Sequence, residues 1–355
     1  MSGRWRRARL GAAEAAIFVV LVASVAWRIS ADRVGSRGPV PPADRPVGET
    51  LRLADAAYDS GRLAASGPLY ADVLRRDGGN VRARIRLANA FHLNSWNASA
   101  LTMIDEALAL DPRNGVARIL RAKIYRDNGE SALAVAEYEA VLGTSPRNAE
   151  ALYYVGTNYQ ASRRFDDAIG VYARAAAADT DLIIPPFETV PFGIQARLQL
   201  GRTYRQLCRV QFENDGYDDG MALLELALDV LREAHSLVET TSLRGYGDAR
   251  AELISGLSYK ATMLRRARRP EQDVLAAYEE MTAVDPNDVA AWLDAGHIRR
   301  RAAGSRADLE TVEAYYLRAY ELDPRDIDAH TNLLSVRQDL QRPEEDLAII
   351  LGDTP

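Results

Sequence analysis

The side chains able to act as nucleophiles, bases or metal ligands are few and scattered. The histidines are His92, His235, His297 and His330. None has a second ligand at i+3 or i+4, the spacing that lets one helix face hold zinc. Cys208 is the single cysteine, so no internal disulfide framework and no cysteine-based metal cluster can form. It reads as a small, half-buried side chain rather than a nucleophile. The chain has no HExxH, no GxxxxGK phosphate loop, no GxGxxG after a strand, no GxSxG elbow and no CxxCH haem motif. Acids cluster at Asp215, Asp218 and Asp219, and again at Glu344, Glu345 and Asp346. Neither cluster has the loop spacing of a calcium hand, so they read as a solvated loop and a charged helix face. Asn97-Ala98-Ser99 matches a glycosylation acceptor and reads as a turn. The expectation is a non-enzyme with no cofactor, no metal and no small-molecule substrate.

Composition then asks what else the chain does. It has 355 residues, 47% apolar and 26% charged, which is ordinary folding material rather than a disordered chain. The net charge is −6. Residues 1–49 hold eight Arg against four acids, so residues 50–355 carry −10. A body that acidic is a poor match for phosphate backbones, and no nucleic-acid partner is expected.

The N-terminus reads as a membrane signal. Arg4, Arg6, Arg7 and Arg9 precede an apolar run from Leu10 to Trp27 that carries one charge, Glu14. As a helix this run spans about 27 Å, close to the ~30 Å hydrocarbon core. Trp27 and Arg28 end it as interfacial residues do. The sequence thus predicts a cytoplasmic N-terminus at 1–9, a single-pass signal-anchor helix at 10–28 and a Pro- and Gly-rich linker at 29–46. The body at 47–350 then lies on the periplasmic side of an inner membrane, before a tail at 351–355. A cleaved signal peptide ending at Ser24-Val25-Ala26 is the competing reading, against which Trp27 and Arg28 sit awkwardly after the cut.

The body repeats itself every 34 positions. Ala54, Ala88, Ala122 and Gly156 form one column, and Tyr70, Ile104, Tyr138 and Tyr172 a second. Phe91, Tyr125 and Tyr159 form a third, and Gly78, Pro112 and Pro146 a fourth. Small residues let two helices approach, aromatics fill the joint, and a Pro ends the second helix. Within a unit, Leu101, Ile104, Ala107, Leu108 and Leu110 trace an apolar face at helical spacing.

At these columns the chain resembles the tetratricopeptide repeat (TPR) family. The resemblance implies an all-α, right-handed solenoid of about seven to eight helix–turn–helix units over 47–350. It is strongest for 81–178 and 270–326. Residues 47–80 look like a degenerate first unit that caps the array, so Tyr58 is expected to pack less well than Tyr138. A Pro-rich insertion occupies 183–192, and irregular loops are expected at 208–218 and 237–247. Four extra residues fall near Ala303 to Asp308. Arg118 and Arg121 stand where the family places large apolar residues; the hairpin is looser there, or their stems pack while the heads reach solvent.

Family geometry also implies a concave groove lined by first-helix residues. Carried onto this sequence, the partner-binding set is Arg82, Asn89, His92, Lys123, Arg126, Tyr153, Gln160, Arg202 and Arg205, beside Ile85 and Val116. The strip is polar with a basic bias, and guanidinium groups pair carboxylates bidentately. The implied partner is a protein or peptide with acidic residues. Glu137, Glu139 and Asp167 fall on the outer face. The chaperone-tail clamp of related domains fails here, since Leu120, Glu150 and Tyr154 occupy its later positions. Two roles follow: a membrane-anchored scaffold for protein–protein interaction, or a stoichiometric accessory subunit of a membrane complex. A regulatory module for an envelope enzyme is a third.

Overall fold

A computed structural model describes residues 45–178, 191–241 and 247–342, with only the backbone described at 240, 241 and 247. Among the described residues there are fifteen α-helices and no strand. None is long and apolar enough to cross a membrane. The anchor at 10–28, most of the linker, residues 183–190 of the Pro-rich insertion and the tail lie outside the described residues.

The chain divides into two compact units, at Ala196 and Arg197. The first holds α1 (Val47–Asp59), α2 (Leu63–Arg76), α3 (Val81–Leu93), α4 (Asn97–Leu110), α5 (Gly115–Asp127), α6 (Ser131–Thr144), α7 (Ala149–Ala161) and α8 (Phe165–Ala176). The next helix, α9 (Phe192–Glu213), contributes its first five residues to this unit. The helices pack as consecutive hairpins, α1 on α2 through α7 on α8, and each hairpin packs on the next.

Local chemistry sets many of the boundaries. Asn80, Asn114 and Asn148, each one repeat from the next, accept a hydrogen bond from the backbone N–H three positions on and so cap α3, α5 and α7. An asparagine cap of this kind satisfies one of the orphan donors at a helix start and is worth about 1 kcal/mol. The turn inside each hairpin contains one residue at positive φ: Gly61, Ser95, Gly129 and Arg163, again one repeat apart. Between hairpins, the Asp77 and Asp111 carboxylates accept from the capping Asn80 and Asn114 amides.

The core follows the columns. Ala54, Ala88 and Ala122 are fully buried, as are Tyr70, Ile104 and Tyr172, with Tyr138 at 1%. A Cβ on Gly156 would stand 2.6 Å from the Tyr172 ring, so that joint closes only without one. The first unit departs from the expected degeneracy. Tyr58 is fully buried, edge-on to Tyr70 at 6.2 Å and under the Arg86 guanidinium at 4.6 Å. Hairpin α1–α2 is a complete member of the array because α3 covers this ring. Of the two expectations for Arg118 and Arg121, a looser hairpin or packed stems, the ion pairs favour packed stems, with the heads held by acids. Arg118 pairs with Glu137 at 3.0 Å, and Arg121 with Asp105 at 2.8 Å and Glu137 at 2.6 Å. Glu137 is therefore drawn off the outer face into this network. Leu110, in contrast, is half exposed at the end of α4.

The second unit holds the rest of α9, then α10 (Tyr217–Thr241), α11 (Gly247–Arg266), α12 (Glu271–Val284), α13 (Val289–Ala302), α14 (Arg306–Leu322) and α15 (Ile327–Asp339). Asp288 and Asp326 cap α13 and α15 as the asparagines do above. Ser305 and Asp308 form a capping box at α14, and the extra residues lengthen the helices rather than the turn, α13 running to 14 residues and α14 to 17. Gly296 repeats the Gly156 socket, with the Tyr316 ring 2.7 Å from a built Cβ.

The irregular loops shrink. Cys208 to Glu213 continue α9, because Cys208 is fully buried and Phe212 rests against Gly220, Tyr217 at 5.6 Å and Tyr259 at 6.1 Å. Residues 237–241 likewise extend α10.

Candidate partner-binding surface

The residues assigned to the groove lie on α3, α5 and α7 in the first unit and on α9 in the second. In the first unit these side chains bond one another from helix to helix. Arg82 on α3 pairs with Asp55 on α1 at 2.9 Å. The Asn89 amide donates to the Tyr58 hydroxyl of α1. His92 bridges Asn97 Oδ1, 3.0 Å from its Nδ1, and Asp127 Oδ2 on α5, 3.3 Å from its Nε2. Lys123 on α5 reaches Glu150 on α7 at 2.9 Å, with side chains only 10% and 1% exposed. Gln160 accepts from the Tyr172 hydroxyl at 2.9 Å.

A polar ladder thus runs along the inner helices, and most of its members are committed to the stack. Removing one partner of the Lys123–Glu150 pair would leave a buried charge, a change that costs about 3–5 kcal/mol. Burial, then the hydrogen bond to Asp55, raises the Tyr70 phenol above its ordinary range.

One cation of this set keeps an exposed head, and a second is half-buried. Arg82 is 61% exposed at its side chain. Arg126 pairs with Asp127 at 2.9 Å and lies 4.5 Å over the Tyr154 ring. Arg82 also borders an open cleft of about 410 Å³ between the starts of α3 and α5. Its apolar surface comes from Val81, Ile85 and Val116, and its polar rim from Arg82, Arg86, Asp111 and Asn114. Three groove residues expected from sequence, Arg82, Ile85 and Val116, therefore meet in one depression. Asp111 and Asn114 belong to the turn between α4 and α5. Their place on the rim follows from the cap that brings the turn back to the α5 start.

Tyr153 serves the joint rather than the rim. With Tyr154 it meets Phe192, at 5.7 and 5.9 Å, and Tyr154 stacks on Tyr138 at 5.0 Å. Phe192 opens α9 after the insertion, so this aromatic cluster seats the chain where the repeat register is interrupted.

Arg202 and Arg205 stand in the second unit. Arg202 pairs with Glu252 of α11 at 2.7 Å, and Arg205 takes the other oxygen of the same carboxylate. Sequence reasoning missed Glu252, because the long α10 separates it from these arginines. Cys208, on the same helix, faces inward, and burial pushes its thiol up to about 11. Among the described residues, no three His, Cys, Asp or Glu side chains converge as metal ligands.

Comparison with known proteins finds no family model that matches the chain and no curated protein that does. Solved structures are similar in part. The C-terminal part of a TPR repeat-containing protein from Cytophaga hutchinsonii has 13% identity and a TM-score of 0.49, covering 79% of this chain and 98% of that one. A tetratricopeptide repeat protein from Parabacteroides merdae has 14% identity and a TM-score of 0.39, covering 82% and 98%. YrrB, described as a TPR protein with an unusual peptide-binding site, has 17% identity and a TM-score of 0.34, covering 74% and 96%. Every one of these scores is below 0.5, and the repeat of this chain stands on its own register and packing.

Proposed function

We propose that this chain is a tetratricopeptide-type scaffold that binds a protein or peptide partner along its inner helices, with no catalytic step of its own. The observation that carries the reading is the cleft at α3 and α5. An apolar floor of Val81, Ile85 and Val116 beside an exposed guanidinium, Arg82, suits an apolar side chain next to a carboxylate. The ladder beneath holds these residues on rigid helices, which limits the ordering cost of binding.

The finer part of the reading is a tether. The four Arg before Leu10 and the apolar run to Trp27 support a single-pass anchor, with the repeat body outside the cytoplasm. In that setting the scaffold assembles proteins on the outer face of the inner membrane.

The test is a pull-down from detergent-solubilised membranes. Partners captured by the wild-type chain should be lost with Arg82→Glu and Arg126→Glu combined, while Glu139→Arg with Asp167→Arg should leave capture intact. Equal capture by all three chains would remove the inner helices as the binding surface. Protease added to spheroplasts should digest the body; protection would place it on the cytoplasmic side.

A further inference from the structure

Helix α9 is a charge outlier. It carries Arg197, Arg202, Arg205 and Arg209 against one acid, Glu213, in a body whose net charge is −10. Arg197 is engaged by Glu233 of α10 at 2.8 Å. The other three recur at helical spacing on one face. Along α11, Glu252, Gly256 and Tyr259 recur at the same spacing and lie against them in order. Glu252 takes Arg202 and Arg205. The Arg205 stem passes Gly256, 3.8 Å from a built Cβ. Arg209 lies over the Tyr259 ring at 5.5 Å.

The charge along this seam does not balance. One carboxylate serves two guanidinium groups at its upper end. At its lower end the exposed Arg209 has no carboxylate within ion-pair distance among the described residues. Burial raises the Tyr259 phenol above its usual range, which Arg209 and Arg266 of α11 oppose and Glu213 adds to. Burial, which Glu252 only partly offsets, and then the crowding of Arg209 and Arg202 hold the Arg205 guanidinium below its usual range. Like charges gathered on one face favour an incoming anion, which relieves their repulsion and forms charge-assisted pairs.

We propose that the seam of α9 and α11 is a docking site for an acidic segment of a partner protein, two of whose carboxylates pair with Arg202 and Arg209. Seven helical positions separate these arginines by about 10 Å. An extended chain rises about 3.3 Å per residue, so a run of three or four acidic residues spans the interval. Tyr259 offers a ring face beside the second carboxylate. A polyphosphate backbone suits the seam less well, because the surrounding body repels a long anion. The proposal rests on the reading of the chain as a protein-binding scaffold; Arg202 and Arg205 belong to the groove set that the family resemblance implies, and the seam adds Arg209, Tyr259 and the spacing of the two carboxylates.

The test uses the full-length chain in detergent and a fluorescein-labelled hexaglutamate peptide, read by anisotropy. The wild-type chain should bind it, with affinity falling as salt rises from about 50 to about 300 mM. Arg202→Gln with Arg209→Gln should weaken binding at least tenfold, and Arg209→Glu alone should weaken it with an unchanged circular dichroism spectrum. Arg75→Gln, at an exposed arginine of α2 that belongs to neither surface, should leave hexaglutamate binding as it is. No binding by the wild-type chain, or equal binding by the Arg202→Gln, Arg209→Gln variant, would overturn the proposal. Tighter binding of a labelled hexathymidylate than of hexaglutamate would overturn it as well, in favour of a nucleic-acid site. Seam-dependent hexaglutamate binding, together with equal pull-down by wild type and the Arg82→Glu, Arg126→Glu variant, would leave the seam standing and remove the cleft.

Discussion

From Val47 to Ala176 every helix is 12 to 14 residues long, whereas α9, α10 and α11 run to 22, 25 and 20 residues. Both regions solve the same problem, which is to bury one face of each helix against two neighbours. The first does it with a fixed period: an asparagine cap, a turn at positive φ, a small residue and a large one recur every 34 positions. The second drops the fixed period but keeps the fit of small against large, with helix caps at Asp288 and Asp326 and positive-φ turns at Asp215 and Arg268. Leu231 of α10 fills the space at Gly201 of α9, and Leu228 fills that at Gly256 of α11. Leu224, Leu228 and Leu231 are fully buried, so α10 presents leucines where the first unit presents rings. Charge closes the joints that lack caps in register. Arg232 grips Glu280 through two bonds, of 2.6 and 2.8 Å, and Arg337 reaches Glu313 at 2.9 Å with both side chains buried. A repeat can thus lose its length and survive, provided its complementary pairs survive.

The largest effects should come from emptying a joint in either region. Tyr138→Ala and Tyr58→Ala should each cost about 3–5 kcal/mol and Leu228→Ala about 2–5 kcal/mol, read as shifts in a denaturant midpoint. A Tyr58 loss near zero would restore the view of the first hairpin as a loose end cap.

Filling a socket should cost less, and separates ring from leucine. Gly156→Ala forces a Cβ onto the Tyr172 ring and should cost about 1–3 kcal/mol. Gly201→Ala meets the branched end of Leu231, which can rotate, and should fall at the low end of that range. Gly143→Ala, which meets nothing within 4 Å, should stabilise α6 by up to ~1 kcal/mol. Thermal melts of the three variants should therefore shift in two directions.

Deleting a hydroxyl should divide the regions more finely. Tyr70 donates to Asp55 at 2.7 Å, so Tyr70→Phe should cost about 1 kcal/mol. The Tyr316 hydroxyl is buried without a hydrogen-bond partner, so Tyr316→Phe should be neutral or stabilising. The smallest change is at the turns. Arg163 and Arg268 sit at φ 57° and 52°, where a side chain is strained. Glycine at either should raise stability by roughly 0.5–1 kcal/mol, while Gly129→Ala should lower it.

Much of the first region was legible, because its determinants lie at constant spacing. Ala88, Tyr138 and Pro146 announce their roles by recurring. The cap column Asn80, Asn114 and Asn148 is equally periodic, but a cap is visible only when the backbone donor three positions on is placed beside the side chain. The expected groove set falls on α3, α5, α7 and α9. It was silent on how far those side chains are consumed by the stack: Lys123 looks like a free cation until Glu150, 27 positions later, is placed beside it. In the second region Glu252 and Gly256 could not be assigned from spacing, because α10 exceeds the usual second helix by about three turns. The readable signal there was Arg202, Arg205 and Arg209 at helical spacing.

The central claim is that one full period of the sequence makes an exchangeable unit in the first region and not in the second. Units that contact only their neighbours tolerate removal of one member. Deleting residues 81–114 joins Asn80 to Gly115, so that Asn80 caps the helix Asn114 capped before. Deleting 217–250, the same length, removes the Leu224–Leu228–Leu231 row. The account predicts that the first deletion keeps the helical signal per residue and a cooperative thermal transition, while the second loses both. Equal collapse of the two chains would contradict it.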